Sequence, residues 1–257
     1  MTTTQRPQPI NPERFLPWLN IAAITAWGVL ILKYQFTGKL NLLIHRDYSW
    51  LAITGAIGLI FVGGLKARDL LQRRRRRDEV QVEAHITLLS PKLSSGLLLA
   101  TAILGLIITP QVFASQTALQ RGVTDSIGAT RSQPQAFHSV AIPEKRSLID
   151  WVRTLNVYPE PDAYTGQKAK VKGFVIHPPE MSNQYLLLSQ FVITCCAADA
   201  YPVGLPVKLS DGASYSADSW LEVEGKMYTE NLAGKRQLTI DSTAVRKIPQ
   251  PDNPYSY

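Results

Sequence analysis

Cysteine is nearly missing from this chain: two in 257 residues, and those two adjacent, Cys195 and Cys196. So few exclude a disulfide-rich secreted scaffold. The C-x-x-C spacing of redox motifs is absent, as is the C-x₂₋₄-C spacing of structural zinc sites. Histidine is scarce, with four in the chain, and H-E-x-x-H does not occur. Neither does G-x-S-x-G or a phosphate-binding glycine loop. The common hydrolase, zinc-protease and nucleotide-dependent classes therefore find no support, and a non-enzymatic protein is expected.

Charge is missing from three long stretches. Phe15–Leu32 and Tyr48–Leu65 each run 18 residues without Asp, Glu, Lys or Arg, and a third charge-free stretch of 28 follows Lys92. A helix rises about 1.5 Å per residue, so each stretch reaches roughly 27 Å or more, close to a hydrocarbon core of about 30 Å. Trp18, Tyr34, Tyr48 and Trp50 stand at the ends, where amphipathic rings favour the interface. The pattern predicts transmembrane helices over about 15–33, 48–66 and 93–112, within a membrane domain of residues 1–114. The first apolar run is longer than a signal-peptide core and no small-x-small site follows it, so a retained anchor is expected.

Basic residues set the expected orientation. The loop 66–92 carries Lys66, Arg68, Lys92 and the run Arg73-Arg74-Arg75-Arg76-Arg77, whereas the loop 33–47 has only Lys33, Lys39 and Arg46. Short basic loops stay cytoplasmic. That places the N-terminus in the cytoplasm and everything after the third helix outside, in a multi-pass protein of the plasma (inner) membrane facing the periplasmic side. Beside a membrane helix, such a run serves as an anchor near anionic lipid.

Residues 115–140, rich in Ser, Thr, Gln, Gly and Ala, read as a linker. In the domain 141–257, Leu148, Trp151, Val152 and Leu155 follow i, i+3, i+4, i+7 spacing and predict one short helix, stopped by Pro159 and Pro161. Five strands are expected: 169–176, 185–195 (bent near Ser189-Gln190), 205–209, 220–227 and 237–245. Gly173 and Gly225 sit inside strands, where glycine permits the sharp bend that closing a small barrel requires. The expected fold is a mainly β, OB-like five-stranded barrel with one preceding helix. Many OB-folds bind nucleic acid, but residues 111–257 carry 14 basic and 14 acidic side chains, so the whole formal charge of +7 lies in residues 1–110. A neutral domain lacks the basic face that phosphates need, and no nucleic-acid partner is expected.

The C-terminal half also contains Gly173-Phe174-Val175, Cys196-Ala197-Ala198-Asp199, Gly204-Leu205, Trp220-Leu221-Glu222-Val223-Glu224-Gly225 and Pro249-Gln250-Pro251-Asp252-Asn253-Pro254-Tyr255. Together these resemble the YcgQ-like family of bacterial membrane proteins. The resemblance implies an accessory subunit of a two-component permease, partnered by a larger multi-span permease in the lipid bilayer. Some members carry a histidine-rich loop between the second and third helices, which has prompted a metal connection. Here that loop holds the run of five arginines and only one histidine, His85.

The cysteine pair admits three readings. As metal ligands, Cys195 and Cys196 with Asp199 and His177 would suit zinc or another transition metal; His138 is the other histidine of the outer half. Neighbouring residues of a strand point to opposite faces, so joint chelation requires the strand to end or bulge there. As a redox pair, they would form a strained, exchangeable disulfide in an oxidising exterior. As packing residues, one thiol would fill the interior and the other its rim, with Asp199 capping a turn. Three helices are too few for an ordinary carrier, which is built from repeated bundles. The expected function is therefore an accessory transport subunit whose outer domain docks on a permease or handles its solute. The alternative is a membrane-anchored metal-binding or thiol-redox protein. Gly55, Gly58, Gly63 and Gly64 would allow close helix contact with a partner.

Overall fold

A computed structural model describes residues 15–76, 90–123, 142–210, 214–232 and 234–257. Arg77, His85, His138 and most of the expected linker lie outside the described residues, as does Gly212. The chain divides into two compact units, Met1–Pro110 and Gln111–Tyr257.

The first unit holds α1 (Leu16–Phe36), α2 (Ser49–Arg76) and α3 (Pro91–Ile107). Pro17 occupies the first turn of α1, where its missing N–H costs nothing. α1 packs against both other helices. A Cβ on Gly28 would meet Ile60 at 2.6 Å, so glycine there sets how near α1 and α2 can lie. Gly63 abuts Thr25 of α1, whereas nothing approaches the Cβ positions of Gly55, Gly58 and Gly64. Polar groups are paired between helices: the Trp27 indole N–H donates to the Leu98 carbonyl at 3.0 Å, and the Tyr34 hydroxyl donates to the Gly105 carbonyl at 2.5 Å.

Two spans, Leu16–Phe36 and Arg46–Gln72, are long and apolar enough to cross a membrane, and only 17% and 11% of their apolar windows are buried. Core helices of a soluble protein would be mostly covered; here Trp50, Ile57, Phe61 and Leu65 are exposed. The third helix is shorter than expected, ending at Ile107 rather than near 112. Pro110 biases Thr109 away from the helical region, and Ile108 is already extended.

In the second unit, α4 (Ser115–Gln120) begins the stretch expected to be a linker. α5 (Leu148–Val157) starts at a capping box: Ser147 Oγ accepts from Asp150 N–H, and the Asp150 carboxylate accepts from Ser147 N–H at 3.0 Å. Its apolar stripe buries Leu148, Trp151 and Val152, and Trp151 meets Tyr164 edge-on at 6.1 Å. The strands are β1 (Lys168–Ile176), β2 (Tyr185–Val192), β3 (Tyr201–Lys208), β4 (Trp220–Leu232), β5 (Lys235–Ile248) and β6 (Tyr255–Ser256). All five expected strands are present. β3 starts earlier than expected, β4 and β5 form a longer hairpin, and β2 stops short of the cysteines. Short β6 was not foreseen.

The sheet order is β1-β4-β5-β3-β2-β6, with β1 also paired to β2. The β3–β5 pairing is parallel; β1–β2, β2–β3, β4–β5 and β1–β4 are antiparallel. Each of β1, β3, β4 and β5 therefore has two neighbours and β2 has three, around a core of Val171, Val175, Leu186, Leu188, Leu205, Leu221, Val223, Met227 and Ile240. Gly173 lies just before β1 passes from β4 to β2; a Cβ there would stand 2.6 Å from the Ser189 carbonyl oxygen. Gly225 sits at the β4–β5 bulge, where a Cβ would strike the Asp241 carbonyl.

Outside β1, Lys170 pairs with its cross-strand partner Glu224 at 2.6 Å. Lys172 and Arg246 converge on Glu222 at 3.4 and 2.5 Å. The Arg246 hydrogen bond, opposed by burial, holds the Glu222 carboxyl below the usual range.

Two outcomes are expected for stability. Gly173→Ala should cost about 1–3 kcal/mol through overpacking, read as a lower urea midpoint followed by tryptophan fluorescence. Glu222→Gln should lower that midpoint at pH 7. A depressed carboxylate stabilises above its unfolded pKa, about 4.3, and the contribution is lost as pH falls through the folded value. The gap from the parent protein should therefore close in acid.

Candidate functional site

β2 is paired on both flanks up to Val192, with Phe191 and Val192 opposite Tyr255 and Ser256 of β6. Ile193 N–H then donates to the Ser256 carbonyl at 3.0 Å. Beyond it the backbone leaves the sheet, and Thr194, Cys195 and Cys196 have no ladder partner on β3, which pairs only from Tyr201. Their N–H groups turn inward on one side chain. Asp199 Oδ1 accepts from Thr194 N–H at 3.3 Å and from Cys196 N–H at 3.2 Å, and Oδ2 accepts from Cys195 N–H at 2.8 Å. Ala197–Asp199 forms one 3₁₀ turn, with Asp199 N–H on the Cys196 carbonyl at 3.1 Å.

This curl reverses the geometry that a continued strand would impose. Cys195 and Cys196 point to the same side, with sulfurs 3.7 Å apart. One ligand atom from each of Cys195, Cys196 and Asp199 lies within 4.8 Å of the others, the one such cluster among the described residues. Cys195 is exposed and Cys196 partly so. Neither thiol fills the interior. The packing reading therefore loses its central premise, although Asp199 does cap the turn.

His177, the remaining candidate ligand, is not brought to the cluster. It follows β1, exposed, with Nε2 2.7 Å from the Tyr215 carbonyl oxygen.

The electrostatics follow from the curl. The Asp199 carboxylate, then the Cys196 sulfur and burial, push the Cys195 thiol up to about 11. Burial pushes Asp199 upward, but the Cys195 thiol and three backbone N–H groups outweigh it and hold the carboxyl below its ordinary value.

Two thiolates sharing a tetrahedral ion with metal–sulfur bonds of about 2.3 Å stand about 3.8 Å apart. The observed separation of 3.7 Å fits that spacing. A disulfide, with sulfurs about 2.05 Å apart, needs the pair to close by about 1.6 Å. Cys195, Cys196 and Asp199 thus fit a borderline-soft cation in mixed thiolate–carboxylate coordination.

Arg121 completes the surroundings. Its guanidinium donates to the Ala200 carbonyl and, at 3.4 Å, to the Ala197 carbonyl, and lies 4.7 Å over the Phe113 ring. Phe113 in turn packs on Phe191 and Tyr255. The sequence reading passed over these residues. The only signal was an aromatic and an arginine within an otherwise small and polar stretch.

Residues 141–257 match the family model of the DUF1980 C-terminal domain. This is consistent with the resemblance drawn from the motifs of that half. No curated protein and no solved structure matches the chain.

Because the Asp199 charge opposes ionisation of Cys195, Asp199→Asn should bring that thiol down toward about 8.5. Alkylation of Cys195 by iodoacetamide at pH 8 should then be about tenfold faster than in the parent protein, measured by mass spectrometry. An unchanged rate would contradict the electrostatic account.

Proposed function

We propose that this protein is a non-enzymatic accessory subunit of a membrane transport system and that its outer β domain handles a transition-metal cation at Cys195, Cys196 and Asp199. The observation carrying this reading is the convergence of two thiols and a carboxylate on an exposed turn. Uncovered apolar helix surfaces supply the membrane half of the argument. In this reading α3, rising about 26 Å, is a third span beside α1 and α2. The arginine run keeps the α2–α3 loop cytoplasmic, and residues 111–257 lie outside. The pairing order, in which β1 to β5 each have at least two neighbours, supports an OB-like closed barrel. The open glycines Gly55 and Gly58 of α2 would lie against a multi-span permease.

An exposed site with three protein donors leaves room for an exchanging ligand, as suits a cation that is passed on rather than stored. Binding must displace the Cys195 proton, so affinity should rise with pH. A second reading, thiol redox chemistry, draws on the same sulfur pair. The high thiol pKa weighs against it, because exchange proceeds through the thiolate.

The full-length protein in detergent, reduced and loaded with zinc, should retain about one ion per chain. Cys195→Ser and Cys196→Ser should each lose it. No retained metal in the parent protein, measured by plasma mass spectrometry, refutes the cation site. Separately, gentle solubilisation should co-purify a multi-span membrane protein; its consistent absence refutes the accessory role.

A further inference from the structure

The family match begins at residue 141, yet Gln111–Val123 belongs to the same compact unit as the matched stretch. Ala118 and Val123 are fully buried. Phe113 N–H donates to the Tyr255 hydroxyl at 3.0 Å, and its ring lies 5.2 Å from that of Phe191. Ser115 N–H donates to Asp218 Oδ1 at 2.5 Å, and Asp218 has a left-handed backbone with φ of 66°. A non-glycine residue in that region is held there by its surroundings.

These contacts fix the chain on both sides of Arg121. The candidate turn, in contrast, is a single 3₁₀ turn, a geometry with weak internal hydrogen bonds. Its leading edge is held by the Asp199 carboxylate, which grips the N–H groups of residues 194–196. Its trailing edge presents the carbonyls of Ala197 and Ala200, and both accept from Arg121. Both bonds leave one nitrogen, Nη1, while the planar guanidinium stacks on the Phe113 ring, which fixes that nitrogen between the two acceptors. Asp199 lies between those two carbonyls, so the backbone that aims its carboxylate is fastened to Gln111–Val123.

We infer that Gln111–Val123 is a strap belonging to the thiol–carboxylate site and that Arg121 is a positioning residue for it, holding Ala197 and Ala200 so that Asp199 stays turned toward Cys195 and Cys196. The functional domain then begins near Gln111, ahead of the matched family domain. The affinity consequence rests on the cation reading above; the backbone consequence does not.

The test uses the full-length protein in detergent with Arg121→Ala, Arg121→Lys and Phe113→Leu. Amide exchange by mass spectrometry reads the peptide covering Thr194–Asp199, and competition with a chromophoric chelator reads zinc affinity. Arg121→Ala should speed exchange across the turn about tenfold and weaken zinc about tenfold, with β1, β4 and β5 exchanging as before. Arg121→Lys should recover part of both, since an ammonium keeps a donor for the carbonyls but lacks the planar face that stacks on Phe113. Phe113→Leu, which loosens the strap but keeps the guanidinium, should fall between the parent and Arg121→Ala.

Turn exchange unchanged in Arg121→Ala overturns the inference. So does acceleration spread evenly over the sheet, which would make the strap a general stabiliser. If Arg121→Ala does not fold, Arg121→Lys decides by the same contrast between turn and sheet. If the parent protein binds no zinc, the cation reading fails while the exchange comparison still judges Arg121.

Discussion

A strand that leaves its sheet must find new partners for its N–H groups, and at the end of β2 one carboxylate supplies three of them. Thr194, Cys195 and Cys196 all donate to Asp199. An acceptor for three successive donors forces the backbone to wrap around it, as in an anion-binding nest. The side chains of the wrapped residues are then thrown outward together. Adjacent thiols, which a strand would hold on opposite faces, become neighbours on one face because a carboxylate sits four residues beyond the first of them.

The sheet fixes where this happens. β2 is flanked by β3 and β6 until Val192, and the last ladder-like bond is Ile193 N–H to the Ser256 carbonyl. Tyr255 is buried with Phe113 and Phe191, so the short C-terminal strand is anchored by aromatic packing rather than by length. The turn is therefore clamped where it starts, by β6, and again where it ends, by Arg121 and buried Ala200. What lies between is too short to hold a shape alone, and its conformation is a property of the surrounding scaffold.

Much of this architecture was legible in the sequence for physical reasons. Alternation marked the first part of β1, where exposed and buried residues alternate, whereas β2 and β3 are buried almost throughout and show as apolar runs. Gly173 and Gly225 marked two places in the sheet where backbones approach too closely for a Cβ. The i, i+3, i+4, i+7 stripe located α5. The end of β2 was obscured because Val192, Ile193 and Thr194 are all β-branched and read as continuing strand, while the cause of the reversal, Asp199, is a tertiary acceptor. Pro110 was visible, but its effect reaches two residues back, so the third helix was drawn too long. β6 and the Gln111–Val123 strap depend on contacts more than a hundred residues apart in sequence, such as Phe113 with Tyr255. Local pattern carries no trace of such contacts. His177 looked like a ligand by residue type alone; its imidazole is engaged by the Tyr215 carbonyl instead.

The same carboxylate links the protonated Cys195 thiol to the proposed capture of a cation. A carboxylate offers about four lone-pair sites. Three are taken by backbone N–H groups, two of them on Oδ1. The Asp199 carboxylate, together with the Cys196 sulfur and burial, raises the Cys195 thiol pKa to about 11. With its proton in place Cys195 makes a poor nucleophile, because its thiolate fraction at neutral pH is very small. A divalent cation changes the balance. In the proposed cation reading its charge would favour both thiolates, inverting the local pKa logic, and it would use the carboxylate position that the backbone leaves free. In that reading a cation would replace the Cys195 proton, while the three N–H bonds to Asp199 would go on shaping the turn.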